Sequence, residues 1–126
     1  MNDYTTDSTF LNRIRRTSLA SVESESRKGQ PVYTGVIKYF PDALKYVSKV
    51  SKAGNDQHHP DKPLHWDKNK STDNEDALLR HLIDHSQDPV DEDGLLHLGK
   101  VAWRALAALQ IHLDNDKRDT KGEVKG

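Results

Sequence analysis

At 126 residues the chain is one domain with tails, and with 33% hydrophobic and 31% charged residues it is short of the apolar area needed to offset a backbone entropy of ~1–2 kcal/mol per residue. The sequence has no run of about 18 apolar residues, no apolar leader segment and no cysteine, which argues against a membrane span, a signal peptide, a disulfide framework and a thiolate metal site. Nineteen Lys+Arg against twenty Asp+Glu give a net charge of −1, so charge supports neither a membrane nor a nucleic-acid partner, and a soluble, cytoplasmic chain with 7 His remains.

Residues 1–27 are rich in Ser, Thr and charge and read as a flexible N-terminal arm, with Arg13, Arg15 and Arg16 as a short basic patch. The segment 31–37 is at most a short extended piece. The first helical pattern follows Tyr39-Phe40-Pro41, because proline suits the first turn. Phe40, Ala43, Leu44, Val47 and Val50 then form an apolar stripe, and Gly54 fits a C-terminal stop.

A long polar stretch, 54–71, carries His58, His59, His65 and Trp66. Its length and its tryptophan favour an ordered loop across the core. The second helix opens at Thr72, which has capping-box spacing to Glu75. Leu78, Leu79, Leu82 and Ile83 give it a buried side, and it ends near Ser86. The third helix begins around Asp93-Gly94 and runs to about Leu113. Its apolar residues cover more than half its circumference, so it needs neighbours on two sides. Residues 115–126 read as a disordered tail. The expected fold is all-α: a helical domain over 28–114 with about three main helices, its core completed by homo-oligomerisation.

Five carboxylates, Asp84, Asp88, Asp91, Glu92 and Asp93, fall within ten residues without a Lys or Arg. Such density suits either a solvated loop with N-cap residues, Asp93 among them, or hard-cation binding. His81 and His85 stand at i and i+4, with Asp84 between them. His97 lies in the first turn of the third helix, where it can face His81 across an antiparallel pair. Singly, each histidine reads as structural; the set of His81, Asp84 and His97 beside an acidic loop points to a site. No His-Glu-x-x-His is present, so a zinc protease is not indicated. Arg80 and Lys100 are placed to offset polyphosphate charge. Tyr39 and Trp66 are candidates for stacking on a base, or for core packing. No glycine-rich phosphate loop or Ser elbow occurs.

Four stretches carry a family resemblance: Arg27-Lys28-Gly29-Gln30-Pro31-Val32-Tyr33; Lys38-Tyr39-Phe40-Pro41-Asp42-Ala43-Leu44; Ala77-Leu78-Leu79-Arg80-His81-Leu82; and Gly94-Leu95-Leu96-His97-Leu98 leading to Ala102-Trp103-Arg104-Ala105-Leu106-Ala107. Together they resemble the phage dATP/dGTP diphosphohydrolase family, MazG-like in name. The resemblance implies metal-dependent cleavage of deoxypurine triphosphates to monophosphate and pyrophosphate, by an oligomeric helical enzyme of the infected cell's cytoplasm that shapes the nucleotide pool. It places Arg80, His81 and His97 on recurring polar positions, Asp93 beside them, and Lys28 and Lys38 on basic positions near phosphate. The chain departs from MazG-type enzymes in lacking their paired Glu-x-x-Glu and Glu-x-x-Asp motifs.

These readings combine into one expectation. His81, His97 and Arg80 are the catalytic candidates. Lys28, Lys38, Tyr39, Trp66 and Lys100 are the substrate contacts. Asp84, Asp93 and His81 are the ligands of a divalent ion, Mg²⁺ or Mn²⁺. The rival expectation is a non-catalytic nucleotide- or protein-binding phage accessory module, in which Arg80, His81 and His97 form a buried polar network. A third is a histidine–aspartate metal centre that releases triphosphate.

Overall fold

The computed structural model describes residues 26–125, with side chains through residue 117. The N-terminal arm, with Arg13, Arg15 and Arg16, lies outside the described residues up to position 25. The chain divides into two compact units, Met1–Pro41 and Asp42–Gly126.

In the first unit, Tyr33–Ile37 forms a π-helical turn where the sequence suggests an extended piece. The reason is local hydrogen bonding. The Gly35 N–H donates to the Pro31 carbonyl at 2.7 Å and the Lys38 N–H to the Tyr33 carbonyl at 2.9 Å. A lone extended segment would leave those groups without a ladder partner.

The second unit holds three helices: α1 (Pro41–His58), α2 (Asn74–Gln87) and α3 (His97–Lys125). The fold is all-α. Among the described residues, the nearest approach to a strand is one antiparallel bridge between Val90 and Leu96. α1 passes through Gly54 instead of stopping there. A glycine in a helix interior costs about 1 kcal/mol relative to alanine, but the extra turn carries Asn55 into the interior. Its amide donates to the Lys62 carbonyl at 3.1 Å and accepts the His65 N–H at 3.2 Å. The helix therefore ends where its last turn can pin the following loop, and Asp61 at φ 64° turns the chain.

The capping box expected of Thr72 and Glu75 does not form. Asp73 is the N-cap of α2, with no side-chain cap bond. The helix start is held instead by buried Asn74, whose Oδ1 receives the Ser71 hydroxyl at 3.0 Å and Arg104 Nη1 at 2.9 Å. α3 begins at His97, later than the expected Asp93-Gly94, because residues 88–96 close a tight loop of their own. It continues to Lys125, through positions that read as a tail. Nothing in 115–125 breaks a helix as proline would, and Gln110 to Asp114 bridges successive turns at 2.9 Å.

α2 and α3 pack against each other. Among the described residues the buried apolar side chains are Ala77, Leu95 and Ala107, while Leu79, Leu82 and Ile83 on α2 and Leu106, Leu109 and Leu113 on α3 stay exposed. No described helix is long and apolar enough to cross a membrane.

Candidate active site

The site is built around the loop between α2 and α3. Its shape follows from its acidic residues. The Val90 N–H donates to Asp88 Oδ1 at 2.9 Å, the Glu92 N–H to Asp91 Oδ1 at 2.7 Å, and the Leu95 N–H to Asp93 Oδ1 at 3.1 Å. Aspartate side chains commonly bind nearby backbone in this way. Gly94, at φ 84°, supplies the left-handed residue that the turn requires. The loop then delivers His97 to the first turn of α3, its N–H bonded to the Pro89 carbonyl at 2.9 Å.

With their Oδ1 atoms spent on the loop, Asp91 and Asp93 present Oδ2 to Lys100. Its Nζ lies 2.6 Å from Asp91 Oδ2 and 2.7 Å from Asp93 Oδ2. The Lys100 hydrogen bond is the chief cause holding Asp91 below the usual carboxylate range. At Asp93 burial pushes upward, but the bonds from Lys100 and the Leu95 N–H outweigh it and the net shift is down. At Lys100 burial disfavours the charge, and the two carboxylates more than compensate, raising its pKa.

His81 and His97 face each other, as the register of two packed helices allows. Their Nδ1 atoms are 3.0 Å apart, so one ring donates and the other accepts. Asp91 Oδ2 stands 4.0 Å from His81 Nδ1 and 3.9 Å from His97 Nδ1. Burial, and then repulsion from Lys100, hold the His81 pKa below its ordinary value, against the pull of Asp91. Among the described residues, His81, Asp91 and His97 form the group whose candidate ligand atoms all lie within 4.8 Å of one another.

His81, Asp93 and Lys100 line one part of a cleft of about 680 Å³, a volume in the range of small-molecule sites. Trp66, Trp103 and Arg104 line another part, with His58, His59, His65 and Lys70 also on its surface. The two tryptophan rings meet edge to face at 5.7 Å. The Trp66 Nε1 is buried without a hydrogen-bond partner.

A family model described as dATP/dGTP diphosphohydrolase, N-terminal, matches residues 21–121. The chain belongs to that family. No curated protein and no solved structure matches the chain. The family's name denotes a hydrolase of deoxypurine nucleotides, and the match runs across all three helices and the cleft.

His81, His97, Asp93 and Lys100 come together, and Trp66 lies on the same cleft. Asp84 does not join them. It is exposed on α2, and Asp91 supplies the carboxylate nearest the imidazoles. Spacing along a helix gave Asp84 a place beside His81, but His81 turns toward α3 while Asp84 stays in solvent. Arg80 is also outside: its side chain is 63% exposed and reaches Asp73 only at 3.7 Å. Arg104 is the guanidinium that lines the cleft. Lys28, Lys38 and Tyr39 belong to the first unit, where Lys38 Nζ lies 5.8 Å from the centre of the Tyr33 ring and Tyr39 packs edge to face on Phe40 at 6.0 Å. In the sequence Asp91 stands out only as one of five clustered carboxylates and Arg104 only within a stretch that carries the resemblance, while Asn55 has no signal there.

Proposed function

We propose that the chain hydrolyses dATP and dGTP to monophosphate and pyrophosphate, in a metal-dependent reaction in this cleft. The observation that supports the reading best is the juxtaposition of His81, Asp93 and Lys100 with the Trp66–Trp103–Arg104 wall in one cavity, with Asp91 and His97 directly behind His81, in a chain of this family. A nucleoside triphosphate needs both: cations for its phosphates and an aromatic surface for its base.

The residues fit a divalent ion. Tetrahedral ligands about 2.0–2.1 Å from a metal stand roughly 3.3 Å apart, and the three separations of 3.0, 3.9 and 4.0 Å bracket that value. His81, Asp91 and His97 are thus the groups that would hold it, Asp91 taking the place expected of Asp84. A bound ion there would supply a water of lowered pKa and charge for the phosphate oxygens.

The chain's own residues do the rest. Trp66 and Trp103 offer ring faces and edges to the purine. Lys100 and Arg104 offset the charge that develops as water attacks the α-phosphorus and the bond to the bridging oxygen breaks, so that pyrophosphate leaves with that oxygen. Asp93 holds Lys100 at the cleft. The enzyme acts as a homo-oligomer in the cytoplasm of a phage-infected cell, where it shapes the deoxypurine pool.

The test is pyrophosphate release from dATP and dGTP with added Mn²⁺ or Mg²⁺. His81→Gln is expected to lower turnover by about 100-fold or more. Nucleotide binding without metal dependence and without product would establish the accessory-module reading instead, and release of triphosphate would establish the third.

A further inference from the structure

We infer that His81, Asp91 and His97 take one divalent transition ion, of the kind that favours imidazole over water, and that Lys100 is a built-in competitor for it. The inference rests on the reading of this group, which meets the cleft through His81, as the one that holds a metal, but not on which bond is cleaved or whether any is.

The donor set argues for the class of ion. Two imidazole nitrogens and one carboxylate oxygen suit Mn²⁺, Co²⁺ or Zn²⁺. Mg²⁺ prefers oxygen ligands in near-octahedral array, and this group offers only one carboxylate.

The competition follows from a single atom. Asp91 Oδ1 is occupied by the Glu92 N–H at 2.7 Å, which leaves Oδ2 as the oxygen facing the imidazoles. That same Oδ2 carries the Lys100 ammonium at 2.6 Å. A dication and an ammonium on one oxygen repel strongly in a half-buried site. The ion can settle only as Lys100 withdraws from Asp91. Asp93 Oδ2, at 2.7 Å from the same Nζ, is where it rests: Lys100 needs to give up one of its two carboxylates, not both. Asp93 is therefore a positioning residue for the metal site and not a ligand.

The experiment titrates Co²⁺ into the full chain after chelator treatment, reading the visible ligand-field absorption and the stoichiometry by calorimetry. One equivalent is expected, displaced by Zn²⁺ and not by Mg²⁺ at tenfold excess. Asp91→Asn and His81→Gln should abolish the absorption, with helical circular dichroism retained in at least one of them. Lys100→Met should tighten Co²⁺ binding about tenfold or more, and Asp93→Asn should weaken it severalfold, by confining Lys100 to Asp91. Lys70→Met removes an exposed cation of the same cleft and is expected to change little. Equal tightening in Lys70→Met and Lys100→Met would reduce Lys100 to one of several background charges and overturn the competition. Absence of uptake by both the unaltered chain and Lys100→Met, uptake unchanged in Asp91→Asn and His81→Gln, or displacement by equimolar Mg²⁺ would overturn the site. Metal uptake without pyrophosphate release would sink the hydrolase reading and leave this one standing. Pyrophosphate release that persists with Mg²⁺ in Asp91→Asn would do the reverse.

Discussion

The Tyr46 ring occupies the space that a side chain at Gly99 would need. A Cβ at Gly99 would stand 2.6 and 2.7 Å from two Tyr46 ring carbons, and the same tyrosine accepts the Leu96 N–H on its hydroxyl at 2.7 Å. One residue of α1 thus sets the approach of α3 and satisfies a backbone donor ahead of its first turn. Gly99→Ala is expected to destabilise the fold by about 1–3 kcal/mol through overpacking. Tyr46→Phe, which keeps the ring and loses the bond, should cost about 0.5–1.5 kcal/mol. Urea midpoints of the two variants check the order.

Asn55 is the tie between α1 and the loop that carries Trp66. It is 5% exposed and bonds to the backbone of both Lys62 and His65. Replacing it by alanine leaves two backbone groups to find water. Asn55→Ala is expected to speed hydrogen exchange at the His65 amide, whose bond runs to the Asn55 side chain, while amides within α2 stay protected. Uniform loss of protection across the unit would show instead that Asn55 supports the whole fold.

The loop was legible in sequence only as a constraint on length and composition. Its tryptophan argued for order, and Trp66 does pack on Trp103. What could not be read was that α1 would pass Gly54, because local propensity favours a stop there and the opposing gain comes from partners seven and ten residues away. The facing of His81 and His97 was readable, since it follows from helical period and antiparallel packing. The choice among five carboxylates was not. Which oxygen of which aspartate faces the histidines depends on the dihedral angles of a nine-residue loop, and those are settled by bonds to backbone N–H groups that no periodicity encodes.

Stability of the metal-free protein should depend on pH through the same cluster. His81 is held below its ordinary value of 6.5, so below about that pH the unfolded chain binds a proton that the folded one refuses. Stability then falls as pH falls. Asp91 and Asp93 are held below 3.8; their contribution is present above that value and is lost as pH drops through their folded pKa values. Lys100 is raised above 10.5, so its share is complete below that value and is lost on passing the folded pKa. The urea midpoint is expected to form a plateau between roughly pH 6.5 and 10.5 and to decline on both sides. In Lys100→Met the alkaline decline should disappear. A persistent alkaline limb in that variant would assign it to another group.

The small interior bears on assembly. With Ala77, Leu95 and Ala107 as the buried apolar side chains among the described residues, α3 turns Leu106, Leu109 and Leu113 outward at helical spacing, about half exposed each. Leu44 and Val47 of α1 flank them along a shallow apolar groove. Half-exposed leucines along an apolar groove, on a chain this polar, favour an interface. The protein is therefore expected to sediment as a dimer or larger species at micromolar concentration, with a Tm that rises with concentration. Leu109→Lys places a charge on that surface at a residue that does not itself line the cleft. It should shift the species toward monomer and remove the concentration dependence of Tm. A monomer in the unaltered protein, with Tm independent of concentration, would mean that the three helices are stable with this face in water.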